Sequence, residues 1–345
     1  MRKLWITAVL AAVACVSLEV ALRVVGYSAP GWYQLDTQLG WSLQRHKKGW
    51  YFSEGARIPV LINAAGFRDK EQLLDKPEGV YRIAVLGDDY SEAFNVQIQR
   101  TWWWQLPRAL DACTRGRTIE VLNFAVGGYG TAQELVMLES TAMRYQPDLV
   151  LAQFSSRDDV VDNSFALTPR KDRPFYFLDA KGVARIDESF SSSPGFDRRM
   201  QTRYRLGAEI ADHSRAFQLA RQLAGAAVIG EAHADADSAV MRAPRDAVWE
   251  DAWRVTEALL ARMNRYARAN GARFAVVNVP HPQQAGEPMA YPDQRLAALA
   301  KREHVPFVSL AGELQAAHYL PSGQWSVEAH RAAALAVARS ICPLL

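Results

Sequence analysis

Residues 81–96 read YRIAVLGDDYSEAFNV. The run from Arg82 to Leu86 has the character of a buried strand, Gly87 breaks it, and Asp88 and Asp89 stand side by side where a helix should begin. A continuous apolar strand followed by a helix is the signature of a parallel sheet covered on both faces. Such sheets hold their ligands and reactive groups beyond the carboxyl ends of the strands. The tip of this strand is therefore a functional position, and here it carries two carboxylates.

Downstream, the same alternation repeats. TWWWQLPRALDAC reads as a helix, TIEVLNFAV as a second strand, TAQELVMLESTAMRY as a helix and PDLVLAQF as a third strand entered through Pro147. Further on, VWEDAWRVTEALLARMNRYARANG is an amphipathic helix stopped at Gly271. RFAVVNVP is a fourth strand, DQRLAALAKREH a helix, VPFVSL a fifth strand and SVEAHRAAALAVARSIC the last helix. The expected fold is α/β, a flavodoxin-like doubly wound parallel sheet of five strands. The stretch from about 164 to 243 departs from the alternation and reads as an insertion after the third strand. It contains a hairpin, PFYFLDAKGVARID, a Ser/Gly/Pro linker and a helix, SRAFQLARQLAGAAV. Residues 27–77, before the first sheet strand, read as a linker with small β elements, which leaves 78–345 as the main domain.

The N-terminus is MRK followed by a predominantly apolar run from Leu4 to Leu22, with Ser17 and Glu19 near its far end. The run is long enough for a tilted span of a bilayer, and Arg2 and Lys3 favour a cytoplasmic start. Residues 1–26 are expected to be a retained anchor of a single-pass bacterial inner-membrane protein with its main domain periplasmic. Cleavage after AVA at Ala14, or lipidation at Cys15, is the alternative. A net charge of +3, with Lys and Arg scattered along the chain, argues against nucleic acid as a partner. Besides Cys15, the chain has Cys113 and Cys342, either a pair formed in an oxidising compartment or two buried thiols. A flavodoxin-like order would bring the ends of their helices alongside each other, and Cα atoms more than about 7 Å apart would exclude the bond.

Four segments fall at strand ends or just before the last helix: GDDYSEA, NFAVGGYGTAQE, FSSRDDVVDN and LPSGQWSVEAH. With LEVALRVVGY and INAAGFRD ahead of them, they resemble the SGNH/GDSL hydrolases, in particular membrane-anchored bacterial members, over Leu18 to Ile341. The resemblance implies an SGNH hydrolase fold and ester hydrolysis or transfer on acylated saccharides. It also implies a serine nucleophile in the first block, oxyanion donors in the second and third, and a base in the last. Gly87, Asp88 and Gly128 match the pattern, as does Asn123 upstream. The nucleophile position is Asp89, the third-block asparagine is Asp158, and the last-block aspartate and histidine are Ser322 and Gln324.

Each replacement removes a physical requirement. A carboxylate is no alcohol nucleophile, glutamine takes no proton near neutral pH, and an ionised Asp158 would repel an oxyanion. Ordinary serine esterase chemistry is not expected, because losing one triad member already costs orders of magnitude in rate. The expected role is binding a cell-envelope glycan or acylated saccharide, or scaffolding polysaccharide-modification proteins. The alternative is an active O-acetyl esterase or acyltransferase in which His281 serves Asp89 as a spare base. Ser91 reads as a cap or turn residue, and His330 as a packed or surface histidine. Trp102, Trp103 and Trp104 read mainly as core, although aromatics also stack on sugars. No cofactor motif is present. Spacing defines no metal-ligand set, although convergence of Asp88, Asp89, Asp158 and Asp159 would form an acidic pocket able to recruit a hard cation.

Overall fold

The computed structural model describes residues 2–114, 116–201, 209–210, 212–228, 239–287 and 289–345, so part of the expected insertion lies outside the described residues. The N-terminal helix α1 (Arg2–Val24) is apolar and long enough to cross a membrane, and it has no buried residue. After it come two antiparallel hairpins, β1 (Tyr33–Asp36) with β2 (Gly40–Leu43) and β3 (Lys48–Ser53) with β4 (Ala56–Leu61). The main sheet begins at β5 (Val80–Leu86), which leads into the single-turn α2 (Asp89–Glu92) and then α3 (Trp102–Ala109). β6 (Thr118–Asn123), α4 (Thr131–Ser140), β7 (Leu149–Ser155) and the short α5 (Asp159–Asp162) follow. The insertion contributes the hairpin β8 (Phe175–Leu178) with β9 (Ala184–Asp187), then α6 (Pro194–Met200) and α7 (Arg215–Val228). The chain closes with α8 (Ala247–Ala269), β10 (Arg273–Val279), α9 (Tyr291–Glu303), β11 (Phe307–Ser309) and α10 (Val327–Ile341).

The five-stranded sheet runs β11-β10-β7-β5-β6, all parallel. Numbered within the sheet this is the flavodoxin-like order 2-1-3-4-5, as expected from the sequence, and its switch point lies between β5 and β7. Alternation along each strand divides the core. Ile83, Val85, Leu149, Leu151, Ala275 and Val277 face α3 and α10, whereas Ala84, Leu86, Val150, Ala152, Phe274 and Val276 face α4, α8 and α9. Trp102 and Trp103 are buried in the first of these layers and Trp104 packs against it, as the core reading required. His330 is buried there as well, with Trp325 against its ring.

Cys113 and Cys342 form a disulfide, with Cα atoms 5.5 Å apart. α3 stops at Ala109, four residues earlier than its apolar pattern suggested, and a turn delivers Cys113 to the end of α10. The segment expected as a linker is an integral part of the domain. Arg68 is buried, with its guanidinium donating to the backbone carbonyls of Glu92, Ala93 and Val96, and Trp41 Nε1 donates to the Gly127 carbonyl at 2.9 Å. The insertion reaches back to the N-terminal helix: the Ala216 amide donates to Glu19 at 2.9 Å, and Arg23 donates to the His213 carbonyl at 2.6 Å.

Candidate functional site

Asp88 closes β5 and caps α2, its Oδ1 accepting from the Tyr90 amide at 2.9 Å. This turn projects Asp89 toward the loop after β6, where Asp89 Oδ2 accepts from the Gly128 amide at 3.1 Å. Gly128 has φ +73°, in the left-handed region that glycine occupies without strain. Beside it, Glu92 Oε1 accepts from the Gly127 amide at 2.9 Å, and Glu92 Oε2 accepts from the Tyr33 hydroxyl at 2.7 Å. A Cβ on Gly127 would lie 2.6 to 2.8 Å from Tyr33 Oη, Asp89 Oδ1 and Glu92 Oε2, so a side chain there would have to displace these three polar groups. Burial raises the Tyr51 phenol, which also feels the Gln324 side chain and the charges of Asp89 and Glu92. Asp89 and Gly128 therefore meet in one corner, with Tyr51 beside them.

Charge is concentrated at this corner. Burial, with the neighbouring Asp89 charge, pushes Glu92 up to about 8. Burial also raises Asp89, against the opposing effects of Arg157 and of the Gly128 hydrogen bond. Asp158 lies at the end of β7 with Oδ2 3.0 Å from Arg157, whose guanidinium also sits 5.6 Å from the Tyr90 ring. Ser322 is exposed, and its amide donates to Glu54 at 3.1 Å. His281 is buried on the wall of the cleft, its Nδ1 accepting from the Gln283 amide at 3.1 Å. Ser91 is not a cap, a role that Asp88 fills. It is fully buried, donating to Gln153 Oε1 at 2.8 Å and accepting from Trp102 Nε1 at 3.0 Å.

Beyond this corner opens a cleft of about 1600 Å³ whose lining includes Gly128, Asp158, His281 and Ser322. The insertion forms its other wall, with Arg170, Lys171, Arg173 and Arg199 among aromatic side chains that include the 61% exposed Phe165. Arg170 and Arg173 both stack on Trp41, at 4.7 and 5.0 Å. Arg173 is paired with Asp162 at 2.9 Å, whereas the Arg170 guanidinium has no carboxylate within ion-pair distance among the described residues. Tyr33, Tyr51, Glu92, Arg157 and Arg170 were not singled out from the sequence. The one available signal was the position of Glu92 three residues after Asp89, on the same helical turn.

No family model matches this chain. The chain is similar to an arylesterase of Vibrio mimicus, 31% identical over 77 residues, which is 22% of this chain and 38% of that protein. It thus spans well under half the length of the curated relative that it matches. Among solved structures, TesA aligns at 15% identity over 76% of this chain and 99% of its own, with a TM-score of 0.42. Axe2, an acetylxylan esterase from Geobacillus stearothermophilus, aligns at 12% identity over 76% and 94%, with a TM-score of 0.42. EstA, an esterase from Pseudoalteromonas sp., aligns at 12% identity over 76% and 97%, with a TM-score of 0.41.

Proposed function

We propose that this chain, an SGNH/GDSL hydrolase-like protein in sheet order and in the placement of its four blocks, binds an acidic, acylated cell-envelope saccharide without hydrolysing it. One observation carries the reading: the Asp89 carboxylate accepts the Gly128 amide, the donor that would otherwise serve a developing oxyanion. A carboxylate oxygen in that place mimics the charge the hole is built to stabilise and fills it from within. Gln324 supplies no base, Ser91 is held by Gln153 and Trp102, and His281 already accepts the Gln283 amide.

The cleft keeps the features that suit a glycan. It is large, with exposed aromatic surface at Phe165 and, over the glycine loop, the guanidinium of Arg170, which makes no ion pair among the described residues. Arginine binds carboxylates and sulfates through paired hydrogen bonds, which suits a uronic acid or sulfated sugar. The apolar α1 and the disulfide fit a protein anchored in the bacterial inner membrane with its domain in the oxidising periplasm, beside polysaccharide-modification proteins.

The test uses the full chain in detergent micelles. Hydrolysis of p-nitrophenyl acetate is expected to stay at background, while acetylated uronate oligosaccharides bind and Arg170→Ala weakens them about tenfold. Ester hydrolysis that Asp89→Ala abolishes would overturn the proposal, as would equal binding by wild type and Arg170→Ala.

A further inference from the structure

Behind the corner of Asp89 and Gly128, at the switch point of the sheet, lies a second group of carboxylates that the glycan reading does not use. One oxygen each of Asp88, Asp158 and Asp159 falls within 4.8 Å of the others. Each of these side chains commits its other oxygen to protein donors. Asp88 Oδ1 takes the Tyr90 amide, and Asp158 Oδ2 takes Arg157. Asp159 Oδ2 takes Thr131 Oγ1 at 3.2 Å and the Ser155 amide at 3.1 Å. The remaining oxygens, Asp88 Oδ2, Asp158 Oδ1 and Asp159 Oδ1, are buried without a hydrogen-bond partner.

Glu134 is an independent pointer. It comes from a different element, the first turn of α4, is 1% exposed, and has both carboxylate oxygens buried and unpartnered. It interacts electrostatically with Asp88 and Asp158 and is the largest charge acting on Asp159. Arg157 is paired with this group through Asp158 Oδ2, which leaves Asp158 Oδ1 without a hydrogen-bond partner. Burying unpaired carboxylates so close together is strongly unfavourable unless a proton or a cation joins them. A carboxylate held through one oxygen by a protein donor, with the other oxygen directed inward, is the arrangement of an oriented metal ligand.

We propose that Asp88, Asp158 and Asp159 bind a hard divalent cation, Ca²⁺ in preference to Mg²⁺, beneath the carboxyl edge of β5 and β7, with the buried Glu134 adding negative charge beside the ligand set. Oxygen ligands at about 2.3–2.6 Å from Ca²⁺ lie up to roughly 5 Å from one another, which matches the spacing of the three aspartates. Mg²⁺ ordinarily keeps several waters and uses one or two carboxylates, so a set of three favours the larger ion. The cation would hold the β5 and β7 tips together and so fix the loop that presents Asp89. This inference does not depend on whether the cleft binds a glycan.

The experiment is titration of the chelator-stripped full chain in detergent micelles with Ca²⁺ alone, by calorimetry and thermal denaturation. Expected results are saturable single-site binding, a raised Tm, and a binding heat that varies with the buffer, because the cation displaces protons from the carboxyl group it joins. Glu134→Gln removes a charge that has no hydrogen bond to lose and is expected to weaken Ca²⁺ at least about tenfold; Asp159→Asn is expected to do the same. Absence of saturable binding up to about 10 mM, well above the weakest extracellular calcium modules, would overturn the proposal. Undiminished affinity in Glu134→Gln would overturn it as well, whether or not Asp159→Asn folds.

Discussion

At the tip of β5 the Asp89 carboxylate engages the Gly128 amide, the contact on which the proposed lack of hydrolysis rests. Asp89→Ser is expected to leave p-nitrophenyl acetate hydrolysis at background, because Gln324 still offers no nitrogen that titrates near neutrality. A gain of about a hundredfold or more from this one change would show that another base is in place. His330 illustrates a different behaviour. Its Nδ1 accepts the Trp102 amide at 3.3 Å, and burial lowers it to about 3, well below the ordinary 6.5. Its contribution to stability is complete above the unfolded value and declines as pH falls toward the folded one. Between pH 6.5 and 5 it should remove on the order of 1–2 kcal/mol, seen as a steeper fall of urea unfolding stability with falling pH in wild type than in His330→Gln. Parallel slopes would refute it. The meeting of Asp89 with Gly128 was legible because short motifs at strand ends are brought together by the sheet itself. Tyr33, Tyr51 and Arg170 were not, because they arrive on hairpins and an insertion whose placement depends on tertiary packing.

Among the elements, the sheet strands were the most readable. Continuous apolar runs ending in turns leave little choice but a parallel core, and the flavodoxin order then sets α3 beside α10. The end of α3 was less readable: its apolar pattern runs on to Cys113, whereas a turn after Ala109 is what carries the thiol to its partner. The bond joins residues 229 apart in sequence. Cys113→Ser is expected to lower unfolding stability by about 2–5 kcal/mol, read as a shift of the urea midpoint that reductant reproduces in wild type and does not add to in the variant. A reductant effect that persists in Cys113→Ser would assign the sensitivity elsewhere. The hairpins before β5 show how local pattern underdetermines role. The segment read as a linker with small β elements, and nothing in it disclosed that Trp41 would bond to Gly127 and stack under two arginines.

At the scale of the whole molecule, one helix stands apart. α1 leaves large apolar side chains such as Leu4, Trp5 and Leu10 more than 60% exposed, a surface that water does not favour and a bilayer does. The full chain is expected to stay with the membrane fraction through alkaline carbonate extraction, and removal of residues 2–24 is expected to release it. Recovery of the intact chain in the soluble fraction would exclude a retained anchor. The link between Cys113 and Cys342 also has a consequence for how the protein is made. Cys342 follows the last of the five sheet strands and the helix after it. Cys113, made 229 residues earlier, therefore cannot take its native partner until every strand of the sheet has left the ribosome.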